Sequence, residues 1–422
     1  MRINVHVLVP RMILTIAIGT AGTAGAADDI ADRPEVRQAL QHLAQHETDQ
    51  VDLQVKIAEI PAPPFHEEQR ATAIAAEFQR VHLDNVEMDG IGNVLGLRKG
   101  ASPRLLVVAA HLDTVFPAGT DVKVKRQGDR LYGPGLVDDS RGLAVIISLA
   151  EALDKYNIHT RHSLLFVADV GEEGIGNLRG IKYLVGEGKY RRQIDGFISI
   201  DGDGENTAFN REIGSRRYHI TISGPGGHSY LNFGRVNPAD ALGRAIALLA
   251  AMKVPRSPKT TYNVGRIGGG TSVNTIPFEV WMEFDMRSED EQELIRLEQE
   301  FLKLVRQGID EENGAHAGSG TELKLDSQQI GLRHAITNNN NAALVSAVQY
   351  ASEAIGLRKP ILKAGSTDSN AAASMGIPSI TLDGGGGAAN LHSPEEWFQP
   401  AGSSKGIQKL LLTVLAWDGG HQ

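Results

Sequence analysis

Histidine, aspartate and glutamate recur in this chain directly after short apolar runs, and that placement is where chemistry first shows. Leu105 to Ala110 runs into His111-Leu112-Asp113, and Leu164 to Ala168 runs into Asp169-Val170-Gly171-Glu172-Glu173-Gly174. Phe197 to Ile200 runs into Asp201-Gly202-Asp203, and Ser379 to Leu382 into Asp383, a glycine run and then His392. Asp138-Asp139 stands between Gly133-Pro134-Gly135 and a helical stretch from Gly142 to Tyr156. One His or Asp after a strand is ordinarily a turn former or a surface group. Two His and three carboxylates converging from separate strands form a different kind of set. They can hold two adjacent divalent ions through N and O ligands, one carboxylate bridging, as zinc prefers. Glycines around the acids allow the close backbone approach that a cramped site needs. Asp203 competes with Asp201 as a ligand, and Asp201 is preferred because it follows its strand directly.

The apolar runs have strand character, and helical stretches separate the early ones. That alternation predicts an α/β fold with a mainly parallel, helix-covered sheet. Ligands bind such sheets beyond the carboxyl ends of the strands, where these side chains fall. Upstream, Asp32 to Ile60 reads as helix, Pro61-Ala62-Pro63-Pro64 breaks it, and Phe65 to Val81 resumes the helical pattern. The middle of the chain differs. Tyr218 to Ser223 alternates, Asn237 to Met252 is a helix candidate, and Val280 to Met286 is a half-buried strand. Asp290 to Gln307 reads as a charged amphipathic helix and Glu322 to Leu325 as a short strand. Thr337 and Asn338 to Asn341 offer caps for a new helix, after which the first pattern returns. The expected organisation is a signal peptide over 1–26 and a catalytic domain over 27–213 and 330–422, interrupted over 214–329 by a smaller α+β lid and dimerisation domain.

As a set, the motifs resemble those of a known family. His111-Leu112-Asp113-Thr114-Val115, the run Gly133 to Asp139, Glu172-Glu173-Gly174, Gly226-Gly227-His228-Ser229 and His392-Ser393-Pro394-Glu395 are similar in order and spacing to its signatures. The family is that of the dinuclear zinc metallopeptidases, which includes glutamate carboxypeptidase, peptidase T, aminoacylase and acetylornithine deacetylase. The resemblance covers nearly the whole chain after the leader. It implies that His111, Asp138 and Asp201 bind one ion and that Asp138, Glu173 and His392 bind the other. Asp138 would bridge, and the Asp138-Asp139 peptide would be cis. Asp113 would hold the His111 ring by its other nitrogen, and Glu172 would act as general base and then acid. His228 resembles a histidine that reaches across a dimer interface to stabilise an oxyanion. Asn274 and Arg287 resemble residues that grip a substrate carboxylate, a task suited to the planar fork of arginine. Without the resemblance, His228 reads as a turn histidine and Arg287 as a solvated strand end.

Asp201, where deacylase and carboxypeptidase-like members carry Glu, resembles the peptidase T and dipeptidase branch, as does the segment Gly365 to Asn370. The implied protein is a homodimeric exopeptidase for short peptides, using two divalent ions, zinc first and cobalt or manganese as alternatives. An N-acyl-amino-acid deacylase or a glutamate carboxypeptidase-like hydrolase is the alternative. A non-catalytic binding protein that keeps the fold is the alternative of another class; it predicts an eroded site, and the acids and histidines here are all present.

Composition narrows the setting. A net charge of -9 without a long basic run argues against nucleic acid as a partner. With no cysteine, metal ligands have to be His, Asp or Glu. Arg2 and Arg11, the apolar Met12 to Ile18 and the small-residue site Ala24-Gly25-Ala26 read as a cleavable export signal, too short in its apolar part for a lasting membrane anchor. The mature chain is expected in the periplasm or outside the cell, not inserted in a membrane. Other patterns carry less. His42 and His46 share a helix face without a third ligand. Gly174-Ile175-Gly176 lacks a dinucleotide fingerprint's third glycine, and the Gly384 to Gly387 run lacks the Lys of a phosphate loop.

Overall fold

The computed structural model describes residues 29–202, 204, 206–337 and 340–420. The expected signal peptide over 1–26, Asp203, Asn338 and Asn339 lie outside them. Helices α1 (Pro34–Gln45) and α2 (Glu47–Ala58) replace the single helix expected over this stretch; the break falls at His46, where φ is -107°. After α3 (Glu68–Arg80) come β1 (Asp84–Met88), β2 (Val94–Arg98) and β3 (Ser102–His111), then the short pair β4 (Lys125–Gln127) and β5 (Arg130–Tyr132). Next are α4 (Ser140–Lys155), β6 (His162–Asp169), α5 (Arg179–Gly186), β7 (Ile194–Ile200) and β8 (Thr207–Glu212). The middle segment holds β9 (Gly214–Ser223), β10 (Gly227–His228), α6 (Pro238–Ala250) and β11 (Thr260–Gly269). It continues with β12 (Thr275–Ile276), β13 (Glu279–Ser288), α7 (Glu291–Ala315) and β14 (Lys324–Arg333). The remainder is α8 (Ala342–Ala354), β15 (Ile361–Gly365), α9 (Ser369–Ser374), β16 (Ser379–Leu382), β17 (Gly387–Ala389), β18 (Trp397–Gln399) and α10 (Ser404–Gly419).

The large sheet has the order β1-β2-β6-β3-β7-β16-β8-β15. Its centre, β6-β3-β7-β16, is parallel, while β1, β2 and the β16–β8 pair are antiparallel. Strands covered on both faces carry unbroken apolar sequence, which is why the central strands read so clearly. Along β3, Leu106, Val108 and Ala110 join the cluster under α4 and α10, while Leu105, Val107 and Ala109 join the cluster with Ile181 and Leu184 of α5. Parallel strands bring their carboxyl ends to one edge, so His111, Asp169 and Asp201 emerge together.

The second sheet, β11-β13-β9-β14, is antiparallel and lies against α6 and α7. Its cluster joins Ile220 and Ile222 of β9 to Met282 and Phe284 of β13 and to Leu297 and Phe301 of α7. The Phe284 and Phe301 rings stack at 4.4 Å. Two strands here differ from expectation. β14 is far longer than Glu322 to Leu325, pairing with β9 from Lys324↔Ser223 to Arg333↔Ser215. As an edge strand with mostly exposed side chains, it tolerates the polar run Asp326-Ser327-Gln328-Gln329 that hid it. The other edge, β11, carries Gly265, Gly268 and Gly269 and was not expected at all. At the return to the large sheet, Asn341 precedes α8 but does not cap it through its side chain; its amide donates instead to the carbonyls of Asn210 and Ser379, tying strands together. Among the described residues, no helix is long and apolar enough to cross a membrane.

The loop after β16 depends on a buried ion pair. Lys409 of α10 donates to Asp383 at 2.7 Å, both side chains wholly buried, and Asp383 also accepts from the amides of Thr207 and Gly385. Removing one partner of such a pair leaves the other charge unneutralised in the interior. Lys409→Met is expected to lower stability by about 3–5 kcal/mol, read from the denaturant midpoint at unchanged slope.

Candidate metal centre

β3 delivers His111 to the carboxyl edge, and the turn before α4 delivers Asp138 beside it. His111 Nδ1 faces the main-chain carbonyl of Asp113 at 3.0 Å, which leaves Nε2 directed at Asp138 Oδ1, also at 3.0 Å. Asp138 Oδ2 lies 2.9 Å from His392 Nε2, and that same nitrogen lies 3.1 Å from Glu173 Oε1. The two oxygens of Asp138 thus face two different histidines. His111, Asp138 and Asp201 offer one group of ligand atoms within 4.8 Å of one another, and Asp138, Glu173 and His392 offer another. The Asp138-Asp139 peptide is cis. Asp139 faces away from both groups: its Oδ1 caps α4 at the amide of Gly142, and its Oδ2 accepts the amide of His111, both at 3.0 Å.

Acids outnumber the two imidazoles in this cluster, where Asp138, Glu172, Glu173 and Asp201 surround His111 and His392. Burial and the Asp138 charge push Asp201 well above the ordinary carboxylate range, and the same two causes push Glu173 up to about 7 against the pull of His392. Burial works against the charge on Asp138, but the hydrogen bonds of His111 and His392 outweigh it and hold that carboxyl low. Hydrogen bonds to Asp138 and Glu173 push His392 up to about 11. Burial opposes a charge on His111, yet the acids around it raise its pKa as well. Each imidazole aims a potential ligand nitrogen at a carboxylate about as far away as two ligands of one zinc ion stand apart, ~3.3 Å for bonds near 2.0 Å. The donors, their spacing and the surplus of buried acid all fit divalent cations, which His111, Asp138 and Asp201 on one side and Asp138, Glu173 and His392 on the other would hold.

The surrounding groups differ in part from expectation. Asp113 stands at the His111 ring twice: its carbonyl is 3.0 Å from Nδ1 and its carboxylate Oδ1 pairs with the same nitrogen at 3.6 Å, and that carboxylate helps to raise the His111 pKa. The same carboxylate accepts the amides of Glu172 and Glu173, at 3.0 Å each. Glu172 lies with His111 and Glu173 in a third group of potential ligand atoms, and its Oε1 accepts from Arg333 Nη1 at 2.7 Å. Glu396 accepts the amides of Gly135, Val137 and Asp138, and so steadies the turn that presents Asp138. Burial pushes its carboxyl up to about 7. Arg141, wholly buried on α4, donates to the carbonyls of Gly384 and Ser403 and fixes the glycine loop leading to His392. Sequence reasoning missed Arg333, Glu396 and Arg141. Glu396 alone carried a signal, in its place directly after the last motif, His392 to Glu395.

The residues of the smaller sheet stand apart. His228 and Asn274 meet on the short β10–β12 ribbon, where the amide of Ser229 donates to the Asn274 carbonyl at 3.0 Å. Arg287, near the end of β13, pairs with Asp285 at 2.9 Å. No hydrogen bond or ion pair among the described residues joins these three to the metal cluster. The rings of His42 on α1 and His46 just after it lie 4.1 Å apart, tilted by 43°, in no potential metal-holding group among the described residues.

Comparison with known proteins agrees with this geometry. Residues 107–416 match the profile of "Peptidase family M20/M25/M40". The chain belongs to that family. This M20 chain is 26% identical over 365 residues to a succinyl-diaminopimelate desuccinylase of Corynebacterium glutamicum, covering 82% of the chain and 91% of that protein. It is 28% identical over 261 residues to the Nitrosococcus oceani protein of the same description, an alignment spanning 56% of the chain and 65% of that relative. A tripeptidase from Staphylococcus aureus shares its fold with a TM-score of 0.70 at 21% identity, covering 88% of the chain and 99% of that structure. The M20 chain is thus an enzyme of the metallopeptidase and amidohydrolase class.

Metal uptake by this M20 protein is expected to release protons. His111 and His392 hold theirs above neutral pH in the metal-free state, and both must give them up to coordinate. Zinc affinity measured against a competing chelator should therefore fall as pH is lowered from about 8 to about 6. A pH-independent affinity would place the ion elsewhere.

Proposed function

We propose that this protein is an exported exopeptidase that hydrolyses terminal amide bonds of short peptides, with its leader removed after residue 26. The observation that carries the reading is the position of Glu172. Its carboxylate is within 4.8 Å of ligand atoms of His111 and Glu173, while Arg333 keeps one of its oxygens occupied. In this reading His111, Asp138 and Asp201 hold one divalent ion and Asp138, Glu173 and His392 the other, zinc before cobalt or manganese. When bound, the ions supply Lewis acidity toward the scissile carbonyl and the attacking water. Glu172 takes a proton from that water and returns it to the departing nitrogen. Asp113 supports this by fixing the adjacent amides of Glu172 and Glu173, so that one carboxylate binds metal while its neighbour moves the proton.

His228 completes the site from a second copy of the chain. Its Nδ1 accepts the amides of Tyr230 and Leu231, at 3.2 and 3.5 Å, which leaves the hydrogen on Nε2 pointing outward as a donor for an oxyanion. The exposed Tyr230, Leu231, Phe233 and Val273 around it offer apolar surface for a homodimer partner. Asn274 and Arg287 grip the substrate carboxylate. Asp201 and the segment Gly365 to Asn370 favour peptides as substrates; the desuccinylase relatives favour a second reading, hydrolysis of N-acyl amino acids.

Chelation followed by zinc or cobalt readdition, assayed on free, N-blocked and C-blocked di- and tripeptides and on N-acyl amino acids, separates these readings. Bound metal without hydrolysis of any of them would leave a binding protein. Glu172→Ala is expected to retain metal and lose about 10²–10⁴-fold in kcat, whereas Glu173→Ala loses metal; equal metal loss in both would end the division of roles. Sizing in solution should show a dimer, and a fully active monomer would take His228 out of the site.

A further inference from the structure

Arg333 is the last residue of β14, and it leaves the smaller sheet to enter the catalytic edge of the large one. Its side chain is 4% exposed. Nη1 donates to Glu172 Oε1 at 2.7 Å and to the carbonyl and hydroxyl of Ser366 at 3.2 and 3.1 Å, while Nη2 donates to the main-chain carbonyl of Glu172. One rigid guanidinium therefore grips the same glutamate at two points, its carboxylate and its backbone, which fixes the direction of the side chain between them. The strand behind it is fixed too. The amide of Leu332 donates to Asn177 Oδ1 at 3.0 Å, and its carbonyl accepts from Lys182 at 2.7 Å. Asn177 and Lys182 belong to the segment that follows Glu172 and Glu173, so β14 is locked against the very loop that carries the two acids. Both terminal nitrogens are engaged within the chain, which leaves this arginine poorly placed to bind a substrate carboxylate.

We propose that Arg333 is a positioning residue: it aims Glu172 for proton transfer and makes that aim depend on where the smaller sheet sits. The proposal rests on the reading of Glu172 as the proton carrier. A lysine cannot replace it, because a single ammonium lacks the fork that holds both points.

The test is a double-mutant cycle on the metal-loaded protein, with metal content and thermal midpoint read on each sample. Arg333→Met is expected to lower kcat by about 10–100-fold, with KM moved by less than about threefold and metal content unchanged. In a Glu172→Ala background the same change should cost less than about twofold, because the group it positions is already gone. Arg333→Ala should recover part of its kcat with added guanidinium, and Arg333→Lys should not restore the rate. An equal loss in both backgrounds would overturn the proposal. So would a loss confined to KM for substrates with a free carboxylate and absent for amidated ones. If Arg333→Met does not fold, Arg333→Lys carries the cycle with the same criteria. Full turnover by Glu172→Ala alone would instead remove the reading on which the proposal rests.

Discussion

Asp138 is buried with one oxygen against each of two imidazoles, and the loops around it are organised by that geometry. A carboxylate in the interior is costly unless charge and hydrogen bonds compensate it. Here His111 and His392 do so from opposite sides, while Asp201 and Glu173 crowd in as further acids, both raised by burial and by the Asp138 charge. Such a group tolerates little displacement. A shift of the turn before α4 would separate Asp138 from both histidines at once, so the turn has to be held from several directions.

It is held mostly by side chains that satisfy backbone groups. Glu396 takes three amides of the turn, Asp139 takes those of His111 and Gly142, and Asp113 takes those of Glu172 and Glu173. Arginines do the converse with carbonyls. Arg141 binds those of Gly384 and Ser403, and Arg70 binds those of Ile60 and Leu112. Irregular loops at a sheet edge have no ladder partners, and buried amides and carbonyls left unpaired would be destabilising. Charged side chains fill that role at this edge, and they make the ligand loops rigid without regular secondary structure.

This pattern explains what the sequence revealed and what it did not. The central strands were legible because burial on both faces leaves a continuous apolar run, and the ligands were legible because they follow those runs immediately. β14 was legible only at its start and β11 not at all, since edge strands with one exposed face can carry Gln, Ser and Gly without a clear period. The supporting residues were harder still. Arg333 lies at the end of a strand whose polar face concealed it, and Arg141 sits in the first turn of α4, where nothing in the spacing shows that its partners are carbonyls far along the chain. Asp113 was read as touching His111 through its carboxylate; sequence could not show that its carbonyl would face the same ring nitrogen as well, at 3.0 Å.

The ligands are also separated in time. Those of the first proposed ion, His111, Asp138 and Asp201, are synthesised within one stretch, whereas His392 meets Asp138 from 254 positions away. At about 5–20 residues per second, a ribosome takes roughly 13–50 s to cover that interval. Glu396, which steadies the turn at Asp138, comes later still, 261 positions after Gly135. One half of the cage can therefore assemble on a growing chain while the other half cannot. The two ions need not be acquired together, and a chain that stops within the smaller sheet would carry His111 and the acids of the cluster without His392 and Glu396, which close the pair.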